Sequence, residues 1–151
     1  NADGWIVSFF GNIGTWSVGI WTAVPSYTLH VNGSVAGISW TSLSDRRLKT
    51  NIETLTGVLD KIDKLRGVYF DWNNLSNPER NFPTGKQVGF IAQEVEFVYP
   101  ELVTQDKEGI KGVEYANMTA VLVEAIKELK KENSDLKALI CMDHPTATIC
   151  K

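Results

Sequence analysis

Residues 122–140 read LVEAIKELKKENSDLKALI. Leu122, Ile126, Leu129, Asn133, Leu136 and Ile140 are separated alternately by four and three positions, the spacing that keeps one stripe of a helix against a partner helix. In that register Ile126, Asn133 and Ile140 fall at a, and Leu122, Leu129 and Leu136 fall at d. Glu132 at g and Lys137 at e are then placed for an interchain ion pair. Fewer than three heptads also suit a helix packed on its own domain. Asn133 favours the coiled coil, because a lone polar residue on a seam costs stability yet specifies register and strand number. The stretch predicts a helix over residues 115–140 that associates with copies of itself. The tail, residues 141–151, reads CMDHPTATICK and does not continue the heptads.

Upstream, residues 44–114 have the pattern of a small mixed α/β domain. Leu55, Val58, Leu59, Ile62 and Leu65 recur at helical spacing, with Gly67 as a plausible stop. VYFDW, Val68 to Trp72, predicts a strand, followed by the polar loop NNLSNPERNFPTG. QVGFIAQEVEFVYPELV reads as a strand passing into a short helix broken at Pro100. DKEGIKGVEY predicts a hairpin or loop leading into the last helix.

Residues 1–43 differ again. They hold four of the five tryptophans (Trp5, Trp16, Trp21, Trp40), many glycines and one charged side chain, Asp3. WIVSFF, TWSVGIW and YTLHV are β-prone runs, and NGS at Asn32 to Ser34 signals a turn between strands. Some forty residues of strand with so few charges cannot close a core alone. The zone reads as the end of something longer, completed by other chains or by an upstream body. The predicted fold class is therefore α+β: a β-stranded N-terminal end, a small mixed domain and a long C-terminal helix.

Composition narrows the function. A net charge of −3 offers no basic excess for nucleic acid, and no apolar run approaches the length of a membrane span. No signal peptide is visible. Cys141 and Cys150 lie close together in the tail, free to pair with each other or between chains, and two thiols do not make a disulfide framework. A reducing compartment is the default expectation. There is no P-loop, GxGxxG, CxxC or HExxH, so no cofactor or metal is expected. His30 reads as a surface or interface residue, and His144 sits beside the two cysteines without a recognisable ligand spacing. Glu94 and Glu96 read most simply as polar positions of a helix.

One stretch remains, SLSDRRLKTNIETL, Ser42 to Leu55. Ser or Asp ahead of an amphipathic run caps a helix, and the cations beside it are ordinarily solvated. The chemical alternative is a Ser44–Lys49 dyad, in which a lysine takes the proton of the serine nucleophile. That requires a neutral lysine, hence burial or neighbouring positive charge such as Arg46 and Arg47.

SDRRLKTNI, then VGFIAQEVEFVYPELV, then VEYANMTAVLVEAIKELKKEN resemble, in order and spacing, the self-cleaving C-terminal intramolecular chaperone domain. That domain occurs on endosialidase-type phage tailspikes, tail fibres and neck appendages, and on membrane-bound myelin-regulatory transcription factors. The resemblance covers Ser44 to about Leu139, and YTLHVNGSVAG before it looks like the fibre end that precedes this domain in phage proteins. It implies a homotrimer that brings three chains into register, assists the upstream β-rich fibre, and then cuts itself off. Ser44 and Lys49 match the dyad, and Asp45 and Asn51 match supporting positions. Within one chain, Ser44 reaches the carbonyl of Leu43 through a five-membered ring, so a cut between Leu43 and Ser44 is expected. A cut after Ser44 stays open if another chain supplies the nucleophile. The implied location is the infected host's cytoplasm during assembly, with the N-terminal product in the virion tail. Two other readings stand beside it. One is a non-cleaving trimerisation and attachment module, whose aromatic zone binds a surface such as a glycan. The other is the transcription-factor relative, which the scarcity of Lys and Arg in residues 1–43 disfavours.

Overall fold

The computed structural model describes residues 7–12 and 15–150, with side chains described from Trp16 onward. The chain is mixed α/β and divides into two units by contact, each built from three stretches: 1–49, 67–89 and 105–111 in the first, and 50–66, 90–104 and 112–151 in the second.

In the first unit, β1 (Val7–Asn12) pairs antiparallel with β2 (Thr15–Ile20), from Val7↔Ile20 to Asn12↔Thr15. Strand β3 (Leu29–Val31) joins β2 in parallel, Val18 facing Leu29. TWSVGIW and YTLHV thus supply strands, although YTLHV supplies only three residues. Of WIVSFF, Trp5 and Ile6 lie outside the described residues. The NGS segment differs from its expectation: no strand follows it, and residues 35–43 are irregular. Instead Asn32 turns its amide onto the carbonyls of Trp21, at 3.2 Å, and Glu79, at 2.6 Å. Strands β4 (Val68–Phe70) and β5 (Gln87–Gly89) form an antiparallel pair. Beside them Trp72 stacks on Phe82 at 4.2 Å and meets Phe70 edge-on at 5.1 Å. Apart from such local clusters this unit keeps large apolar surface in solvent. Trp16 is 73% exposed and Trp40 72%.

The second unit holds the core. Helix α1 (Val58–Ile62), helix α2 (Ala92–Val98) and the long helix α3 (Tyr115–Asp143) contribute Val58, Val95, Met118, Val121 and Ala125. Tyr99 and Leu102, from the turn after α2, complete it. Pro100 ends α2 as expected and starts a 3-10 turn, Pro100–Leu102, because its ring cannot continue the helix. Strands β6 (Val103–Gln105) and β7 (Lys111–Val113) pair immediately before α3.

The helix predicted from Leu55 to Leu65 is much shorter. Gly57 sits in the left-handed region (φ 62°) and sets the start at Val58, leaving Leu55 outside. The free N–H groups of that first turn are satisfied from α3. Both oxygens of Glu128 accept from Val58 N, at 2.9 and 3.1 Å, and one accepts from Leu59 N at 2.9 Å. These bonds to Leu59 and Val58 hold the Glu128 carboxyl below the ordinary glutamate range.

Candidate functional site

Residues 44–49 form a single tight turn within the first unit. Asp45 is extended, and its carboxylate accepts from the backbone N–H of Arg47 at 2.8 Å, capping a 3-10 helix over Arg46–Leu48. The same carboxylate grips the Arg47 guanidinium, at 2.7 Å to Nη2 and 3.1 Å to Nε. Leu48 N and Lys49 N donate to the carbonyls of Asp45 and Arg46, both at 3.1 Å. One closed turn therefore returns the chain so that Lys49 Nζ donates to Ser44 Oγ at 2.8 Å. The Arg47 side chain, followed by its backbone N–H, holds the Asp45 carboxyl below the ordinary aspartate range. The paired guanidinium is raised in turn.

The helix-cap reading and the dyad reading thus coexist, with a difference. The cap comes from Asp45, and it serves the three-residue turn rather than the downstream amphipathic run. Ser44 spends its hydroxyl on Lys49. Arg47, one of two cations considered for depressing the lysine, has its charge engaged by Asp45. Both members of the Ser44–Lys49 pair are solvent-exposed in the single chain. Leu43, on the other side of the expected scissile bond, is 86% exposed. Asn51 occupies the left-handed region (φ 51°), which asparagine tolerates better than most residues.

The six residues predicted to form a seam all lie on α3. Leu122, Ile126, Leu129, Asn133 and Leu136 are exposed and Ile140 is half-buried, while the helix's buried positions are Met118, Val121 and Ala125. Two apolar stripes therefore run along α3, one consumed by the second unit and one left in solvent. Asn133 folds its amide back onto the carbonyl of Leu129 at 2.8 Å. Exposed pairs Lys127–Glu124 (2.7 Å) and Lys131–Asp135 (2.5 Å) line the outer faces.

Other sequence candidates take structural roles. Glu94 pairs with Arg66 at 2.6 Å, and that bond lowers its carboxyl below the ordinary range. His30 accepts from Ser26 N at 3.2 Å and meets the ring of Tyr27 edge-on. The cysteines, left open between two pairings, are bonded to each other, and their Cα atoms are 5.7 Å apart. Among the described residues no three His, Cys, Asp or Glu side chains converge on a metal position, and no helix is long and apolar enough to cross a membrane. Sequence reasoning missed Glu128 and the Asp45–Arg47 clasp. Glu128 lies seventy residues from its partners and carries no local signal, whereas an acid two residues before an arginine at a turn was legible in principle.

Residues 44–104 match the family model described as chaperone of endosialidase, which begins at Ser44. The long tail fibre protein Gp37 of Enterobacteria phage K3 is 34% identical over 99 residues, covering 63% of this chain and 8% of that one. Its counterpart in Enterobacteria phage T2 is 34% identical over 99 residues, 63% of this chain and 7% of the relative. That of Salmonella phage S16 is 32% identical over 107 residues, 64% and 14%. The chain thus spans at most about a seventh of the length of these three relatives. Residues 44–104, which open on the Ser44–Lys49 turn, are thus similar to the chaperone-of-endosialidase family, and the wider match is to phage long tail fibre proteins.

Proposed function

We propose that this chain is a trimeric intramolecular chaperone at the end of a phage tail fibre or spike. It brings three copies into register, assists folding of the upstream β-rich segment, and then releases itself by cutting next to Ser44. The observation that carries the release step is the 2.8 Å bond between Lys49 Nζ and Ser44 Oγ, made by a turn that the local sequence closes unaided. The exposed stripe of α3 supports association, and the solvent-facing tryptophans of residues 16–43 support completion of that zone by neighbouring chains.

The chemistry assigns roles by atom. As base, Lys49 must reverse the observed bond, losing its donor role and accepting the hydroxyl proton of Ser44. Ser44 Oγ attacks the carbonyl carbon of Leu43, the Leu43–Ser44 amide breaks, and the acyl group passes to the serine oxygen. Water then hydrolyses that ester, freeing a carboxylate on Leu43 and an amine on Ser44. Asp45 is the positioning residue, since it closes the turn and occupies Arg47. Asn51 supports the backbone reversal immediately after the dyad.

Folding kinetics give the sequence of events its logic. Strands that pair between chains form slowly and leave sticky edges exposed, whereas a helical bundle forms fast and concentrates the strands to be assembled. Cutting the bundle away leaves a fibre without its nucleus, and therefore slow to reverse. Folding takes place in the infected host's cytoplasm and the N-terminal product stays in the virion tail.

Intact-mass analysis of freshly expressed wild type beside Ser44→Ala and Lys49→Ala tests the release step. Two fragments split at Leu43–Ser44 in the wild type, with both variants whole, are expected. A wild-type chain that stays whole when folded as a trimer sinks the protease reading and favours the second one, a trimerisation and attachment module retained on the fibre. The exposure of both dyad members in the single chain is the observation on that side.

A further inference from the structure

The tail beyond the seam folds back rather than trailing away. Helix α3 ends at Asp143, with His144 N donating to the carbonyl of Ile140 at 2.8 Å. Pro145 lacks the N–H needed to prolong the helix. The chain then turns twice, Ala147 N to His144 O at 3.0 Å and Cys150 N to Ala147 O at 2.9 Å, which brings a 3-10 turn (Thr148–Cys150) alongside the last helical turn. There Cys150 meets Cys141, nine residues back, and the two sulfurs are bonded.

From this geometry we propose that Cys141 and Cys150 form a reversible redox clasp that locks the last turn of α3. The clasp closes by thiol–disulfide exchange with a small-molecule disulfide. One cysteine thiolate attacks the oxidant and displaces a thiol, and the other then attacks the mixed disulfide and displaces a second. The protein loses two thiol protons and two electrons, and the oxidant becomes two thiols. In the open form the last turn holds only its backbone bonds, and Ile140, the final a position of the seam, sits next to Cys141 in the turn that frays. In the closed form residues 141 to 150 make a short ring that keeps that turn wound.

The heptad register selects this pairing over an interchain one, a step that rests on the coiled-coil reading above. With Ile140 at a, Cys141 falls at b, on the outer flank. Flank positions of neighbouring helices face away from each other, whereas a disulfide needs Cα atoms within roughly 7 Å. Oxidation thus staples each chain to itself and leaves the three chains separable, so a chaperone that must later be shed is not tied covalently to its neighbours.

The test uses the full chain and its Cys141→Ser/Cys150→Ser double variant. Both are equilibrated with oxidised or reduced glutathione and read by thiol trapping with intact mass, non-reducing electrophoresis, sizing, and amide hydrogen exchange. Wild type should lose both thiols in one step, run as a single chain without reductant, and exchange amides of residues 137–143 about 10–100-fold faster once reduced. The double variant should exchange fast in both buffers. Two free thiols persisting in excess oxidised glutathione, disulfide-linked oligomers, or exchange indifferent to reductant would each overturn the clasp. A monomeric sizing profile with redox-dependent exchange would instead sink the trimer reading and leave the clasp standing.

Discussion

Six residues close a turn in which a lysine amine rests on a serine oxygen, and the acid between them does the closing. Asp45 contributes a backbone cap and a two-point grip on Arg47. Its removal should loosen the turn without deleting either reacting group. Asp45→Asn keeps the cap but weakens the grip, so self-cleavage should slow less in that variant than in Asp45→Ala. Fragment formation against time after refolding gives the comparison. Lys49→Arg is the sharper probe. The guanidinium retains the charge and can still donate to Ser44, but it does not deprotonate in a protein. Cleavage should fall about 10²–10⁴-fold, the usual loss on removing a general base. Cleavage at the wild-type rate would show that Lys49 is only a hydrogen-bond donor. The contact between Ser44 and Lys49 was legible because both lie in one turn. The Asp45–Arg47 grip was not legible in the same way, because an aspartate two residues before an arginine meets it only when the turn closes, as it does here.

At the scale of the helix, α3 carries two apolar stripes, one buried in the second unit and one exposed for the proposed association. Met118 faces the core and Leu129 faces solvent, so their truncations should separate cleanly. Met118→Ala should destabilise the second unit by about 2–5 kcal/mol at any protein concentration. Leu129→Ala should leave the monomer's stability nearly unchanged and weaken association instead, seen as a concentration-dependent melting midpoint. Glu128 adds a pH signature. Its folded carboxyl is depressed by the N–H groups of Leu59 and Val58, so its contribution is present above the ordinary glutamate range and lost as pH falls through the lower folded value. Docking of α1 on α3 should therefore weaken below about pH 4, and Glu128→Gln should flatten that dependence in acid unfolding followed by circular dichroism. The exposed stripe follows a spacing that was readable from the sequence alone. The inner stripe was not separated from it, because Met118, Val121 and Ala125 interleave with the seam and only packing shows which face is consumed.

For the whole molecule, the proposed association rests on apolar surface that the single chain leaves exposed. The first unit exposes Trp16, Trp21, Ile38 and Trp40, and the second exposes the α3 seam, so both present apolar surface that one chain does not cover. Asn133→Ile tests the register argument. It should raise the melting temperature of the helical assembly while broadening its oligomeric distribution in sedimentation analysis, since the polar residue trades stability for a defined state. A more stable assembly with an undisturbed trimer distribution would remove Asn133 from that role.

The sequence by itself determined the long helix, its second apolar stripe, the break at Pro100 and the contact of Ser44 with Lys49. Each depends on residues close enough along the chain for local geometry to bring them together. Only the tertiary structure decided that α1 starts at Val58, that Glu128 caps it from α3, that Asn32 turns to carbonyls instead of a hairpin, and that the two cysteines pair within the tail. The first three join groups between eleven and seventy residues apart or depend on such a contact, and the last chooses among partners equally open to a thiol. Periodicity carries no information about which distant donor meets which acceptor; satisfying buried and half-buried polar groups does.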